Sequence, residues 1–243
     1  MLCLLALATA CQRAPYRATA HLAPTTARPV ARTIVDDPAA AALIAPYHDK
    51  VTAQMTEVLG TAPAALVKNP GESGLINFLG DLQRERAAAV LGQPVALGVI
   101  TNGAMRAGFP AGTITLGSVF EMMPFENELV VVEAPGEVVR QLFTVAARTK
   151  TPIAGATYAV SFDGMPADIR IGGQPFDPNQ DRLYAIALSD YLASGGDYLD
   201  FFKPLPQRHT GVLLRTAIAD QVRAFTKAGK PVTAAVEGRV KTQ

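Results

Sequence analysis

The chain has 243 residues, of which 49% are apolar, with a net charge of +1 and no tryptophan. Such a length accommodates one large domain or two small ones. A near-neutral chain without a basic run gives no sign of a nucleic-acid polymer or an acidic surface as a partner.

The chain opens MLCLLALATAC. Its apolar stretch of about nine residues falls far short of the roughly 20 that cross a bilayer. Small residues before Cys11 give the pattern of a bacterial lipoprotein signal, with residues 1–10 cleaved and Cys11 acylated, although no Lys or Arg follows Met1. An ordinary secretory leader, with Cys11 a bystander, is the other reading. Cys3 leaves with either leader, so the mature chain keeps one cysteine and has no internal disulfide. Residues 11–36 are rich in Arg, Ala, Thr and Pro without apolar period and read as a flexible tether.

From Asp37 the pattern changes. Asp37 before Pro38 is a helix start, and Leu43, Tyr47, Val51, Met55 and Val58 recur at helical spacing until Gly60. Residues 61–67 suggest a short strand and 74–91 a helix with Leu75, Phe78, Leu79 and Leu82 on one face. The apolar run 95–101 predicts a buried strand. A Gly- and Pro-rich loop follows, then a strand stub with one or two helical turns in ITLGSVFEMM, and a strand over 128–134. Pro135–Gly136 introduces a helix over 136–149. Strands are expected over 156–163, 167–172 and 182–188, and a helix over 211–228. Interleaved strands and helices argue a single α/β or α+β domain over residues 37–229, with 230–243 as a tail.

The three histidines, His21, His48 and His209, have no metal-ligand spacing. The Gly80–Asp81 pair alone makes no two-metal site. Nucleophile-elbow, phosphate-loop and dinucleotide fingerprints are absent. The residues therefore offer no catalytic set and no metal site.

Binding chemistry is better supported. ITNGAMRAGFPAGTIT (100–115) ends a buried strand at Thr101–Asn102 and presents Arg106. MPFENELVVVE (123–133) sets Phe125 beside a strand start. LSDYLASGGDYLDFF (188–202) places Tyr191 and Asp197 around Gly195–Gly196. Singly, each has a plain alternative: a surface turn with a solvated arginine, a core phenylalanine, a strand-to-helix turn with an acid cap. Jointly they supply two aromatic faces, a carboxylate and a guanidinium. A base stacks on aromatic rings, a carboxylate accepts from ribose hydroxyls, and a guanidinium grips phosphate.

In this order the motifs from Tyr47 to Phe225 resemble the C-terminal, nucleotide-binding domain of bacterial and animal 5′-nucleotidases. ESGLINFLGD (72–81), ITNGAMR (100–106), GTITLGSVFEMMPFENELV (112–130) and LSDYLASGGDYL (188–199) carry the likeness. The resemblance implies a mixed sheet flanked by helices. It makes Phe125 and Tyr191 the rings that sandwich the base, Asp197 the ribose acid, Arg106 the arginine near the phosphate, and Asn127 the asparagine after the PFG-type turn. Asn102 or Thr101 would meet the base edge, and gap-free pairing puts Thr101 at the family's asparagine. Arg84 and Arg86 stand near, but not at, the place of a second family arginine. Departures are Ala104, Glu126 and Tyr191, where the family has Gly, Gly and Phe. Glu126 adds negative charge beside an expected phosphate and shifts the expectation toward a nucleoside or a less charged ligand.

Family enzymes carry a preceding metallophosphoesterase domain with two metal ions. Here leader and tether run directly into the binding domain. The leading expectation is thus the substrate-specificity half of a split 5′-nucleotidase, lipid-anchored and facing the periplasm. It would need no cofactor in this chain and would work with a separate metallophosphatase chain that holds the divalent metals. The alternatives are a stand-alone binding lipoprotein for nucleosides or related small molecules, an enzyme acting alone, and a remnant with an inactive pocket.

Overall fold

The computed structural model describes residues 27, 29, 31 and 33–242. The expected leader and the Cys11 acylation site lie outside them. In chain order the elements are α1 (Pro38–Met55), β1 (Val58–Ala62), α2 (Gly74–Leu91), β2 (Leu97–Gly98), β3 (Gly112–Thr115), α3 (Leu116–Met122), β4 (Glu128–Pro135) and α4 (Gly136–Thr149). They continue with β5 (Ala156–Val160), β6 (Pro166–Ile171), β7 (Gln174–Pro175), β8 (Leu183–Ser189), α5 (Asp190–Ala193), β9 (Gln207–Leu213), α6 (Leu214–Lys227) and β10 (Val240–Thr242). Two units are distinguished, Met1–Ala45 and Pro46–Gln243. Among the described residues no helix is long and apolar enough to cross a membrane.

The described part of the first unit holds a turn, closed by Ile34 N donating to Ala31 O at 3.0 Å, and the start of α1. Asp37 caps that start, its Oδ1 accepting from Ala39 N and Ala40 N at 2.8 and 3.0 Å. The helix ends at Met55 rather than running to Gly60, and none of its residues is buried. Gly60 belongs to β1 instead. A Cβ there would meet Thr226 Oγ1 at 2.5 Å, so the glycine lets β1 lie directly on α6.

The second unit is mixed α/β. Its central sheet has the order β2-β8-β4-β9, with β2 parallel to β8 and the other pairs antiparallel. β4 and β8 are buried on both faces. Val130 and Val132 of β4, with Tyr184, Ile186 and Leu188 of β8, face α4. Leu129, Val131 and Ala187 face the opposite way, toward Ala87 of α2. Two covered faces explain why these strands read as continuous apolar runs. A third cluster packs α2 and α6 against α3 and the antiparallel pair β1-β3. A four-stranded sheet of order β10-β5-β6-β7 completes the unit.

Local chemistry fixes the helix ends. Ser73 Oγ accepts from Ile76 N to start α2, and Gly92 ends it in the left-handed region at φ 65°. Thr115 and Ser118 form a capping box on α3. A Cβ on Gly98 would fall 2.4 Å from Gly80 O, so these two glycines set the close crossing of α2 on β2.

Several elements differ from the sequence expectation. The strand expected over 61–67 is β1, displaced toward Val58. Regular strand in the 95–101 run is confined to β2, although Ala96 N and Val99 N also donate to β8, at Ala185 O and Ala187 O. The helix expected from 211 begins at Leu214, because Gln207–Leu213 is the edge strand β9. The segment expected as a tail returns to the fold: Val232 N donates to Thr61 O at 2.8 Å, Arg239 is buried against Asp81, and β10 pairs parallel with β5.

Candidate functional site

A cleft of about 400 Å³ opens where the 102–106 turn, the α3–β4 connection and the segment after β8 meet. Gly103, Ala104, Arg106, Phe125, Asn127, Tyr191 and Asp197 line it.

Tyr191 comes from the first turn of α5, which starts where β8 leaves the sheet. Ser189 Oγ caps that turn by accepting from Leu192 N at 3.2 Å. The phenol ring lies on Gly196, where a Cβ would sit 2.4 Å from the ring. Half of Tyr191 (52%) remains exposed, a large apolar face available to a ligand. The chain then takes three unusual steps within four residues: Gly195 at φ 91°, Asp197 at φ 52° and Tyr198 at φ 67°. Glycine tolerates this, whereas a non-glycine residue held in that region costs on the order of 1–3 kcal/mol. The conformation delivers the Asp197 carboxylate between two hydroxyls. Oδ1 accepts from Tyr191 Oη at 3.1 Å and Oδ2 accepts from Thr101 Oγ1 at 2.5 Å. Each carboxylate oxygen has two lone pairs, so each keeps one for a further donor.

Phe125 follows Pro124 in the connection into β4, and Arg215 from the first turn of α6 secures that connection. Its Nη1 donates to Pro124 O at 3.1 Å and to Phe125 O at 3.4 Å, while its guanidinium carbon lies 4.1 Å from the Phe120 ring centre. Asn127 is held on the other side, its carbonyl accepting from Leu214 N at 2.9 Å. Nearby, Glu128 accepts from His209 and from Gly211 N, and these contacts hold its carboxyl below the usual carboxylate range. β9 and the start of α6 thus brace the strand end that presents Phe125 and Asn127.

Arg106 lines the same cleft beside Phe125. Its guanidinium carbon is 4.9 Å from the Phe125 ring centre, and Nη1 donates to Gly103 O at 2.7 Å. The remaining N–H donors of the fork have no recorded partner among the described residues, and the side chain is exposed.

The structure brings Arg106, Phe125, Asn127, Tyr191 and Asp197 to one cleft. Thr101 and Asn102 line an adjoining cavity instead. Thr101 reaches the cleft only through Asp197, and Asn102 Oδ1 is buried with no hydrogen-bond partner. Glu126 is turned to Arg215, 3.3 Å from its Nη2, and does not line the cleft. Arg84 and Arg86 also lie elsewhere: Arg84 lines a separate groove with Asp81 and Thr157, and Arg86 pairs with Asp220 at 3.5 Å. Arg215 carried no local signal in the sequence, since the carbonyls it holds are about 90 residues away in the chain.

The arrangement can stack a flat ring, accept hydrogen bonds from a diol and attract an anion with one guanidinium. Among the described residues, no group of three His, Cys, Asp or Glu is placed to hold a metal ion.

The family model for the 5′-nucleotidase C-terminal domain matches residues 51–204. Silent protein UshA(0) of Salmonella typhimurium is 30% identical over 175 residues, covering 68% of this chain and 30% of that protein. The trifunctional nucleotide phosphoesterase protein YfkN of Bacillus subtilis is 28% identical, covering 70% of this chain and 12% of its own length. The 5′-nucleotidase precursor of Thermus thermophilus superposes with a TM-score of 0.71 at 25% identity, over 84% of this chain and 43% of that one. The NAD nucleotidase of Haemophilus influenzae shares the fold, with a TM-score of 0.62 at 18% identity over 85% of this chain and 41% of that one. The chain thus spans less than a third of these curated relatives and under half of these solved chains.

Proposed function

Because the chain belongs to the 5′-nucleotidase C-terminal domain family, we propose that it binds a nucleoside or nucleotide in the Phe125–Tyr191 cleft and presents it to a separate metallophosphatase chain. The base lies between the two rings, the ribose hydroxyls donate to the unused lone pairs of Asp197, and Arg106 meets the phosphate end. Asn127, on the same wall as Phe125, offers an amide to the base edge. The proposed setting is the bacterial envelope, with the protein lipid-anchored through Cys11 and facing the periplasm. Hydrolysis is assigned to the partner, which holds the divalent metals.

The observation that carries this reading is the convergence of two rings, one acid and one guanidinium, from three distant segments, on a single cleft. Isothermal titration with adenosine, AMP and a UDP-sugar tests it. Saturable binding that falls in Phe125→Ala and Tyr191→Ala supports the clamp, and no binding of any of the three ligands rejects it. Phosphate release from AMP, with divalent metal present, should need an added metallophosphoesterase chain that lacks its own C-terminal domain.

A second reading, a stand-alone nucleoside-binding lipoprotein, draws on one observation: among the described residues, Arg106 is the sole cation lining the cleft. One guanidinium suits a weakly charged ligand. Equal affinity for adenosine and AMP would favour this reading; tighter AMP binding would favour the split enzyme.

A further inference from the structure

Behind Asp197 lies the adjoining cavity, of about 520 Å³, larger than the aromatic cleft and separated from it by the Gly103 and Asp197 wall. Its apolar surface comes from one face of α4 (Leu142, Val145 and Ala146) together with Val99, Ile153 and Leu199. Tyr198, 88% exposed and in the left-handed region, stands at its rim.

We propose that this cavity is a second ligand subsite, which takes an uncharged, largely apolar ring compound. Size and lining both point that way, since small-molecule sites are mostly apolar spaces of about 300–1,000 Å³ with a few placed polar groups. Several polar groups on this wall are committed to one another, while Asn102 Oδ1 is buried with no hydrogen-bond partner. Thr149 and Thr151 hydroxyls bond each other at 2.7 Å, and Thr101 donates to Asp197 at 2.5 Å. An occupant therefore gains chiefly by covering the α4 face, with one donor at most to meet Asn102 Oδ1. Charge disfavours anions, because among the described residues no lysine or arginine lines the cavity and Asp197 is its one carboxylate. The same carboxylate serves both spaces, with one oxygen bonded to Tyr191 of the cleft and the other to Thr101 of the cavity. The inference does not depend on the nucleotide reading, since the cavity shares only this wall with the cleft.

The test uses the uncharged fluorophore N-phenyl-1-naphthylamine, whose emission rises in apolar surroundings, titrated into the full chain. Two variants narrow the cavity from different depths: Val145→Trp at its half-buried edge and Ala146→Leu deeper in. Neither residue lines the aromatic cleft. Saturable binding to the unaltered protein, weakened at least tenfold in whichever variants keep the original thermal midpoint, supports the proposal. Absence of saturable binding overturns it, as does undiminished binding in both variants, which would place the probe elsewhere. Parallel titration with adenosine reports on the cleft separately, so either site can fail without the other.

Discussion

Asp197 reaches its position through backbone that most side chains avoid, and its two oxygens are shared between a phenol and a threonine hydroxyl. Replacing it with Asn removes the charge and converts one acceptor into a donor facing Tyr191 or Thr101. We expect Asp197→Asn to weaken adenosine binding far more than binding of the bare base adenine, which titration of both ligands would reveal. Phe125→Ala and Tyr191→Ala should each cost about 1–3 kcal/mol of nucleoside affinity if the rings stack on the base; unchanged affinity in both would dismiss the clamp. Arg215 does not line the cleft, yet it holds the carbonyls of Pro124 and Phe125. Arg215→Met should therefore weaken adenosine while sparing ribose 5-phosphate, because the misplaced group is the ring. Equal loss for both ligands would mean a general destabilisation instead. The residues that converge on the cleft were legible because each sits in a short run with its own turn chemistry: ITNGAMR, PFEN, ASGGD. Arg215 was not, since a long-range hydrogen bond to a main-chain carbonyl leaves no trace in local pattern. Thr101 and Asn102 were misplaced for a related reason. A strand end fixes neighbouring residues, but which side of the acid they face depends on how the 195–198 turn folds back.

Among the elements, α2 and α4 were readable to the residue, α2 from its apolar stripe and the Gly92 stop and α4 from the Pro135–Gly136 turn that starts it. β9 was not. Gln207–Leu213 carries Arg, His and Thr with little burial, and Gly211 at φ 70° interrupts its register with β4. An edge strand with one partner needs no apolar alternation, so it leaves the period-2 signal faint. β10 was missed likewise, being three residues long and held by distant partners. One of those partners is Glu72, just ahead of α2. Burial raises its pKa, but the Asn77 amide and the backbone N–H groups of Glu237 and Val240 outweigh that and leave it net below the ordinary value of 4.5. A lowered carboxyl stabilises the fold above its unfolded pKa, and the contribution is lost as pH falls through the folded one. Protection factors of the Glu237 and Val240 amides, with exchange corrected for its intrinsic pH dependence, should fall as pH drops through the lowered pKa of Glu72. Glu72→Gln should reproduce the effect near neutrality, whereas pH-independent protection at both amides would contradict it. On the same helix, Ser73→Ala removes the cap and should lower stability by about 1 kcal/mol in urea unfolding.

For the whole molecule, the chain matches less than half the length of these relatives, and the proposed partner is tested by assaying the chain with and without an added metallophosphoesterase chain. Two measurements address its setting and its integrity. Cys11→Ser should shift the protein from the membrane to the soluble fraction if acylation anchors it, and continued membrane retention would remove the anchor from the proposal. Arg239, buried with a bidentate contact to Asp81 at 2.9 and 2.6 Å, ties residues 232–242 to α2. Arg239→Met should cost on the order of 2 kcal/mol, as expected for hydrogen bonds to a charged group, measurable as a lower thermal midpoint. The return of β10 onto β5 also bears on biosynthesis. A polypeptide emerging from the ribosome cannot complete its second four-stranded sheet until codon 242 has been read, so unpaired strand edges stay open throughout elongation. Premature termination near position 230 should therefore yield a product that proteases clear rapidly.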